Sequence, residues 1–208
     1  MSTAAAAANV HEIEKKVLGV TNGKFAMWLF LGSDGMSFMG LIATYVALRI
    51  GNSAMWPTPE DNVLNIPLTA FNTFILICSS VTMVKAYVGA QEGNVRQLKK
   101  YIALTMLGGA IFLGIQVYEY QHLILEQGLS LFSMPENIEG KTPLYAATFY
   151  ACTGFHGFHV FSGVVYLGCI LIGIMRGRWT VNRIEIVGLY WHFVDLVWII
   201  IFTIIYLI

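Results

Sequence analysis

The sequence predicts an all-α integral membrane protein, a bundle of five transmembrane helices. Of its 208 residues, 57% are hydrophobic and only 12% are charged, about half the charged share of soluble domains. Five long apolar runs are each able to cross a bilayer, which takes about 20 residues. They cover roughly 25–49, 68–90, 101–124, 144–175 and 184–208. Because these runs are continuous and about twice as long as barrel strands, they predict helices.

Short polar segments separate the runs and define the domain organisation. We expect residues 1–23 to form a cytoplasmic polar arm, a retained terminus with at most one short helix, and 24–208 to form one transmembrane domain. The connections are 51–67 and 125–143, which contain Gly and Pro, and 91–100 and 176–183, which are short and basic. No internal repeat or linker indicates a second domain.

The charges indicate an orientation and argue against nucleic acid as a partner. Twelve basic and twelve acidic side chains balance, whereas nucleic-acid binding needs a basic excess. Ten of the twelve Lys and Arg residues lie in the amino-terminal arm and around the second and fourth connections, and Arg49 and Lys141 lie on the other side. The positive-inside rule therefore predicts a cytoplasmic amino terminus and an external carboxyl terminus.

Polar residues recur within the runs at helical spacing, which places them on shared faces. The first run carries Asp34, Ser37, Gly40 and Thr44; the third Gln116, Glu119 and Tyr120; the fourth Thr148, Cys152, His156, His159 and Gly163; the fifth Glu185, Gly188, His192 and Asp195. Charged groups in a bilayer are costly, so we expect these faces to point into the bundle or at a partner. The fourth and fifth runs are antiparallel neighbours, so their polar faces should meet, with His192 or Asp195 hydrogen-bonded across.

Small residues and cysteines complete this pattern. Glycines along the polar faces, namely Gly40, Gly108, Gly109, Gly154, Gly157 and Gly163, should permit close helix packing. Cys78, Cys152 and Cys169 lie in apolar runs without a CxxC motif and predict buried free thiols.

Three functions are compatible with the polar faces. The polar residues hold helices together by hydrogen bonds, or they form a proton antenna or lipid-headgroup site, or they bind a metal or heme. His159 and His192 are at similar predicted depth, as bis-histidine ligation requires, but Glu185 and Asp195 share the His192 face and would already satisfy that imidazole. The sequence has no Walker loop, GxSxG or HExxH motif, so it offers no catalytic group.

Two segments resemble a known family. TFYACTGFHGFHVFSGVVYL (148–167) is similar to the segment built around TGFHGLHV in subunit III of the heme–copper respiratory oxidases. Glu185 followed by YWHFVDLVW (190–198) resembles that family's E…YWHFVDVVW. YEYQHL (118–123), with Gln116 and Glu119, and the segment around Asp34 (27–49) extend the resemblance over residues 24–208. Longer members have seven spans, and this chain resembles their last five, as in the short bacterial form.

The resemblance implies a noncatalytic subunit of a proton-pumping terminal oxidase in the bacterial cytoplasmic (inner) membrane. It implies no redox cofactor in this chain, hemes and copper in partner subunits I and II, bound phospholipid, support of proton uptake by subunit I, and a place in a larger respiratory supercomplex. The alternatives are subunit III of a quinol oxidase, which Asp in place of the usual Glu at position 34 favours, and a nitric oxide reductase accessory protein. A small heme-binding membrane cytochrome, or a transporter or channel, is the alternative outside the family.

Overall fold

The computed structural model describes residues 20–57, 64–125, 128–129 and 142–208, and within these ranges it is helical, without strands. The five helices are α1 (Asn22–Gly51), α2 (Ile66–Gln91), α3 (Val95–Leu125), α4 (Leu144–Met175) and α5 (Val181–Ile201), which continues as a π-helix over Phe202–Leu207. Each is long and apolar enough to cross a membrane. The predicted all-α bundle of five spans is confirmed.

The helix α4 has the predicted bounds 144–175, but α1, α2 and α3 extend beyond the apolar runs at both ends, and α5 begins before its run. α3 begins at Val95, so most of the expected basic connection 91–100 is helical. α5 begins at Val181, because the Thr180 side chain caps its first turn by accepting a hydrogen bond from the Arg183 backbone N–H. Polar residues at the membrane surface are good helix formers, so hydropathy underestimates helix length.

The connections fall partly within the described residues. α1 is followed by a 3-10 turn, Ser53–Met55. The Asn65 side chain caps α2, and proline stands in its first turn, where no backbone N–H is needed. Gly93 and Gly177 take positive φ angles where α2 and α4 end. The expected arm lies mainly on residues 1–19, outside the described part, and its last two residues, 22 and 23, begin α1.

The helix α5 is the centre of the bundle, and it packs against α1, α2 and α4. α2 and α3 form the most extensive pair, and α1 is peripheral because it packs mainly on α4 and α5. Trp191 and Trp198 of α5 are 1% and 0% exposed and fill the interior. The Trp191 ring lies where a Cβ on Gly109 or Gly163 would come within 3 Å of it, so these glycines make room for the ring as predicted.

Other expectations about small residues are wrong. No atom lies within 4 Å of a Cβ built on Gly40 or Gly157, so neither glycine mediates close packing within this chain. Cys152 is buried, but Cys78 and Cys169 are exposed on the outside of the bundle. Because lipid tails and helix interiors are similarly apolar, a cysteine in an apolar run has no preference between them.

Candidate functional site

The Asp34 and His159 side chains meet between α1 and α4. Asp34 Oδ2 lies 2.8 Å from His159 Nε2, and the two side chains are only 13% and 7% exposed. Asp34 Oδ2 accepts no hydrogen bond from the described residues, so the pair is a close polar contact. His159 Nδ1 donates to the Phe155 carbonyl at 2.8 Å, because a carbonyl oxygen only accepts. This bond fixes the imidazole so that Nε2 faces the carboxyl group.

This pair joins two helices. Asp34 belongs to α1 and His159 to α4, so the contact at 2.8 Å between their side chains holds α1 against α4 in the membrane-spanning part of the chain.

The remaining polar residues expected on the α1 face do not point into the bundle. Ser37, Gly40 and Thr44 are exposed, and the buried face of α1 carries Phe38, Ile42 and Tyr45. The Thr44 hydroxyl donates to the Gly40 carbonyl one turn back, at 2.8 Å. A hydroxyl that is hydrogen-bonded to its own helix can face lipid at little cost in free energy. The polar residues of α1 therefore do not identify its buried face.

A second buried carboxyl group, Glu119, is held by three donors from two other helices and its own. Thr69 of α2 lies 2.9 Å from Oε1, and Gln116 Nε2 and Tyr206 OH donate to Oε2 at 3.1 and 3.3 Å. Glu119 is 3% exposed. The network joins α2, α3 and the π-helical end of α5, so Gln116 and Glu119 do hold helices together in the structure.

His156 is fully buried and has no hydrogen-bond partner in the described part of the chain. Both ring nitrogens are enclosed without a polar contact. The imidazole stacks on Trp198, with centroids 4.8 Å apart, and Phe112 meets it edge-on at 5.8 Å. The His156 ring therefore packs as an aromatic side chain.

The polar face of α5 turns toward α1 and α2 rather than α4. Glu185 forms an ion pair with Lys24 at the start of α1. Ser80 Oγ of α2 and His192 Nδ1 are hydrogen-bonded at 2.8 Å, and Ser80 also lies beside the Asp195 carboxyl group. The expected meeting of this face with His156 and His159 does not occur.

The helix α4 instead contacts α5 through aromatic residues that the sequence interpretation did not single out. Tyr190 OH donates to the His159 carbonyl at 3.0 Å and is hydrogen-bonded to Ser162 at 2.7 Å. Trp191 of α5 packs against Gly163 of α4, and its Nε1 donates to Ser79 Oγ of α2 at 3.0 Å. Tyr and Trp within YWHFVDLVW carry a polar atom that needs a partner when buried, and this was the signal available in the sequence.

Among the described residues, no group of three or more His, Cys, Asp or Glu side chains is placed to hold a metal ion. His159 and His192, the pair weighed for heme ligation, contact Asp34 and Ser80 respectively, on different helices.

Comparisons with known proteins identify what the chain is similar to. The family model described as "Cytochrome c oxidase subunit III" matches residues 9–208. The "Cytochrome c oxidase subunit 3" of Bacillus subtilis (strain 168) is 34% identical over 197 residues, covering 93% of this chain and 90% of that protein. The protein of the same name from Thermostichus vulcanus is 37% identical over 210 residues, covering 99% of this chain and 94% of the relative. The chain thus spans nearly the full length of both relatives.

Proposed function

Because the chain belongs to the cytochrome c oxidase subunit III family, we propose that it is the noncatalytic third subunit of a proton-pumping heme–copper oxidase that accepts electrons from cytochrome c. Family membership makes it a multi-pass membrane protein and part of an oxidase complex. The single observation that carries the proposal is the match over residues 9–208. The names of the relatives support cytochrome c, rather than quinol, as the electron donor.

The redox centres of this complex belong to subunits I and II, which are the proposed partners, and the assembly takes its place in a larger respiratory supercomplex. The role of this chain is to stabilise the complex and to support proton uptake by subunit I. The Asp34–His159 pair supports the second role, because it brings a carboxyl group and an imidazole into contact between two helices within the membrane-spanning part of the chain.

Bound phospholipid is a further part of the proposal. A cavity of about 390 Å³ opens between the ends of α1 and α5, lined by Tyr45, Val46, Arg49, Ile50, Ser53, Ile204 and Ile208. Aliphatic walls below an arginine match an acyl chain and a phosphate group. Arg49 also donates to the Ile208 carbonyl, which positions its guanidinium at the mouth of the cavity.

The orientation follows from the placement of basic residues, which favours a cytoplasmic amino terminus in the inner membrane. Reporter fusions after Lys100 and after Ile208 should report the cytoplasmic and the external side, respectively. Signals from the same side at both positions would contradict the five-span arrangement.

The central test is purification of the affinity-tagged chain from its native membrane in mild detergent. We expect heme and copper to copurify with it in larger subunits, and the preparation to consume oxygen with reduced cytochrome c. The chain expressed alone should show no Soret band. Oxygen consumption with quinol but not with cytochrome c would show that the electron donor is quinol. One heme per isolated chain would overturn the noncatalytic role.

A further inference from the structure

Exposed hydroxyl groups on the outside of the bundle are satisfied by their own helices. Each donates to a backbone carbonyl three or four residues earlier, at 2.8 Å: Ser33 to Phe30, Thr44 to Gly40 and Thr203 to Ile199. Such groups need no partner in a hydrocarbon environment. Polar residues on these surfaces therefore do not by themselves indicate an interface.

His192 differs from these residues. Its Nδ1 is hydrogen-bonded to Ser80 Oγ at 2.8 Å, whereas its Nε2 makes no hydrogen bond within the described residues and is not enclosed by them. An imidazole is too long and rigid to turn Nε2 back to its own backbone while Nδ1 stays bonded. His192 also lies close to the middle of the helical span Val181–Leu207, at the depth where an unpaired polar group is most costly.

A groove between α2 and α5 leads to this imidazole. It has a volume of about 110 Å³, and Met83, Val84, Tyr87, Leu189 and His192 are among its lining residues. Val84 at its edge is 49% exposed, and Leu196, one turn beyond His192, is 57% exposed. The groove is mainly apolar. Glu185 also lines it and is paired with Lys24, and His192 Nε2 lies at mid-membrane depth.

This combination distinguishes a protein partner from lipid. An acyl chain fits the groove but offers no hydrogen-bonding group near the bilayer centre, because lipid headgroups lie about 15 Å away on either side of a hydrocarbon core about 30 Å thick. A transmembrane helix supplies both an aliphatic side chain for the groove and a polar side chain for Nε2.

We infer that the α2–α5 groove face, defined by Val84, Leu189, His192 and Leu196, docks a transmembrane helix of another oxidase subunit, which hydrogen-bonds His192 Nε2. The inference rests on the proposed function, since it needs a complex. Beyond the proposed function, the inference specifies which face of the chain is covered and which atom the partner recognises.

Photo-crosslinking in the complete oxidase tests the docked face directly. A photoreactive phenylalanine analogue is placed at Val84 or at Leu196 of the full-length chain, and native membranes are irradiated before purification. Position Phe161 on α4, which is 56% exposed, serves as the reference for background adducts. We expect adducts joining this chain to a different oxidase subunit at both groove positions, above the Phe161 level.

Each other outcome has a definite meaning. Adducts only to lipid, only to a second copy of this chain, or none above background, in a chain that still copurifies with the oxidase, overturn the docking inference and leave the proposed function intact. A chain that copurifies with no oxidase subunit overturns the proposed function itself.

The role of Nε2 is tested by two substitutions at one position. His192→Leu should lower the amount of this chain retained per heme in the detergent-purified complex by about threefold to tenfold, the range expected for one interhelical hydrogen bond. His192→Gln should stay within about twofold of wild type, because it keeps a donor and an acceptor. Equal retention of both variants overturns the proposed bond.

Ser80→Ala separates loss of the partner contact from loss of the bond within the chain. It removes the Ser80–His192 hydrogen bond but leaves Nε2 in place, so retention should fall less than with His192→Leu. If Ser80→Ala and His192→Leu lower retention equally, the effect comes from the internal bond and the inference fails. If His192→Leu does not accumulate in the membrane, the crosslinks at Val84 and Leu196, made with His192 intact, decide the question.

Discussion

The helices α1 and α5 carry similar residues but differ in how much of each is buried. Both are apolar enough to cross a membrane and both bear a carboxyl group well inside the span, yet only 11% of the most apolar 18-residue window of α1 is buried, against 50% for the last span. α5 contacts three helices, whereas α1 packs mainly on two from the edge. Burial in this bundle therefore follows from position in the fold rather than from composition.

The polar residues of the two helices show the same difference. On α1, Asp34 finds a partner, while Thr44 faces outward and bonds to its own backbone. On α5, Asp195 and His192 both lie beside Ser80 of α2. A mid-membrane carboxyl group needs a partner from another helix, but a hydroxyl does not.

The largest effect that distinguishes the two helices is expected for a buried indole. Trp191→Ala on α5 should lower the free energy of unfolding by about 3 kcal/mol, the low end for deleting a buried tryptophan, because in lipid only packing and the bond to Ser79 are lost. Trp28→Ala on α1, where the ring is 48% exposed, should cost less than about 1 kcal/mol. Unfolding in mixed detergent micelles measures both, and equal losses would contradict the difference in burial.

Glycine substitutions test how closely each helix approaches its neighbours. Gly109→Ala on α3 would place a Cβ 2.4 Å from the Trp191 ring and 2.8 Å from Val164, so we expect a loss of about 2 kcal/mol. Gly40→Ala on α1 meets no atom within 4 Å and should change stability by less than about 0.5 kcal/mol or slightly stabilise the helix. A comparable loss at Gly40 in the isolated chain would show that α1 is packed on both sides.

Substitutions of Asp34 test the polar contact of α1. Asp34→Leu leaves His159 Nε2 unpaired and should reduce the stability of the chain by about 2 kcal/mol, with a matching loss of assembled oxidase. Asp34→Asn keeps a group that donates to Nε2 and should cost about 1 kcal/mol. The measurement is the amount of this chain per heme after purification, and equal assembly of the two variants would count against the paired arrangement.

The smallest effect is expected for outward-facing hydroxyls. Thr44→Val removes a bond that Thr44 makes only to its own helix, so stability should change by less than about 0.5 kcal/mol. Thr73→Val on α2 is the matched control, because its Oγ1 accepts a hydrogen bond from Trp198 Nε1 at 2.9 Å in the interior, and it should cost about 1–2 kcal/mol. Loss of oxidase assembly with Thr44→Val, without loss of chain stability, would instead indicate a partner on the outer face of α1.

The candidate site was only partly predictable. The inward direction expected for the α4 face is confirmed for Cys152, His156, His159 and Gly163, which are buried, whereas Thr148 at the start of that face is half-buried. Helical periodicity placed Ser37, Gly40 and Thr44 beside Asp34, but it does not show that they lie outside the bundle. Ser80, Thr69 and Tyr206, which contact the acidic residues and His192, were missed because isolated hydroxyls carry no spacing signal.

The sequence by itself determined that the chain lies in a lipid bilayer, that it has five spans and which family it belongs to. Twenty-residue apolar runs are long enough to cross a bilayer whatever surrounds them, and the motifs around His156, His159 and His192 match the family along the chain. Tertiary structure alone decided which face of each helix is buried and which partner each polar group has. The physical reason is that lipid and protein interior are about equally apolar, so side-chain hydropathy does not distinguish them. Packing around Trp191 and Trp198, the contact of Asp34 with His159 and the hydrogen bonds of Glu119 and His192 make that distinction instead.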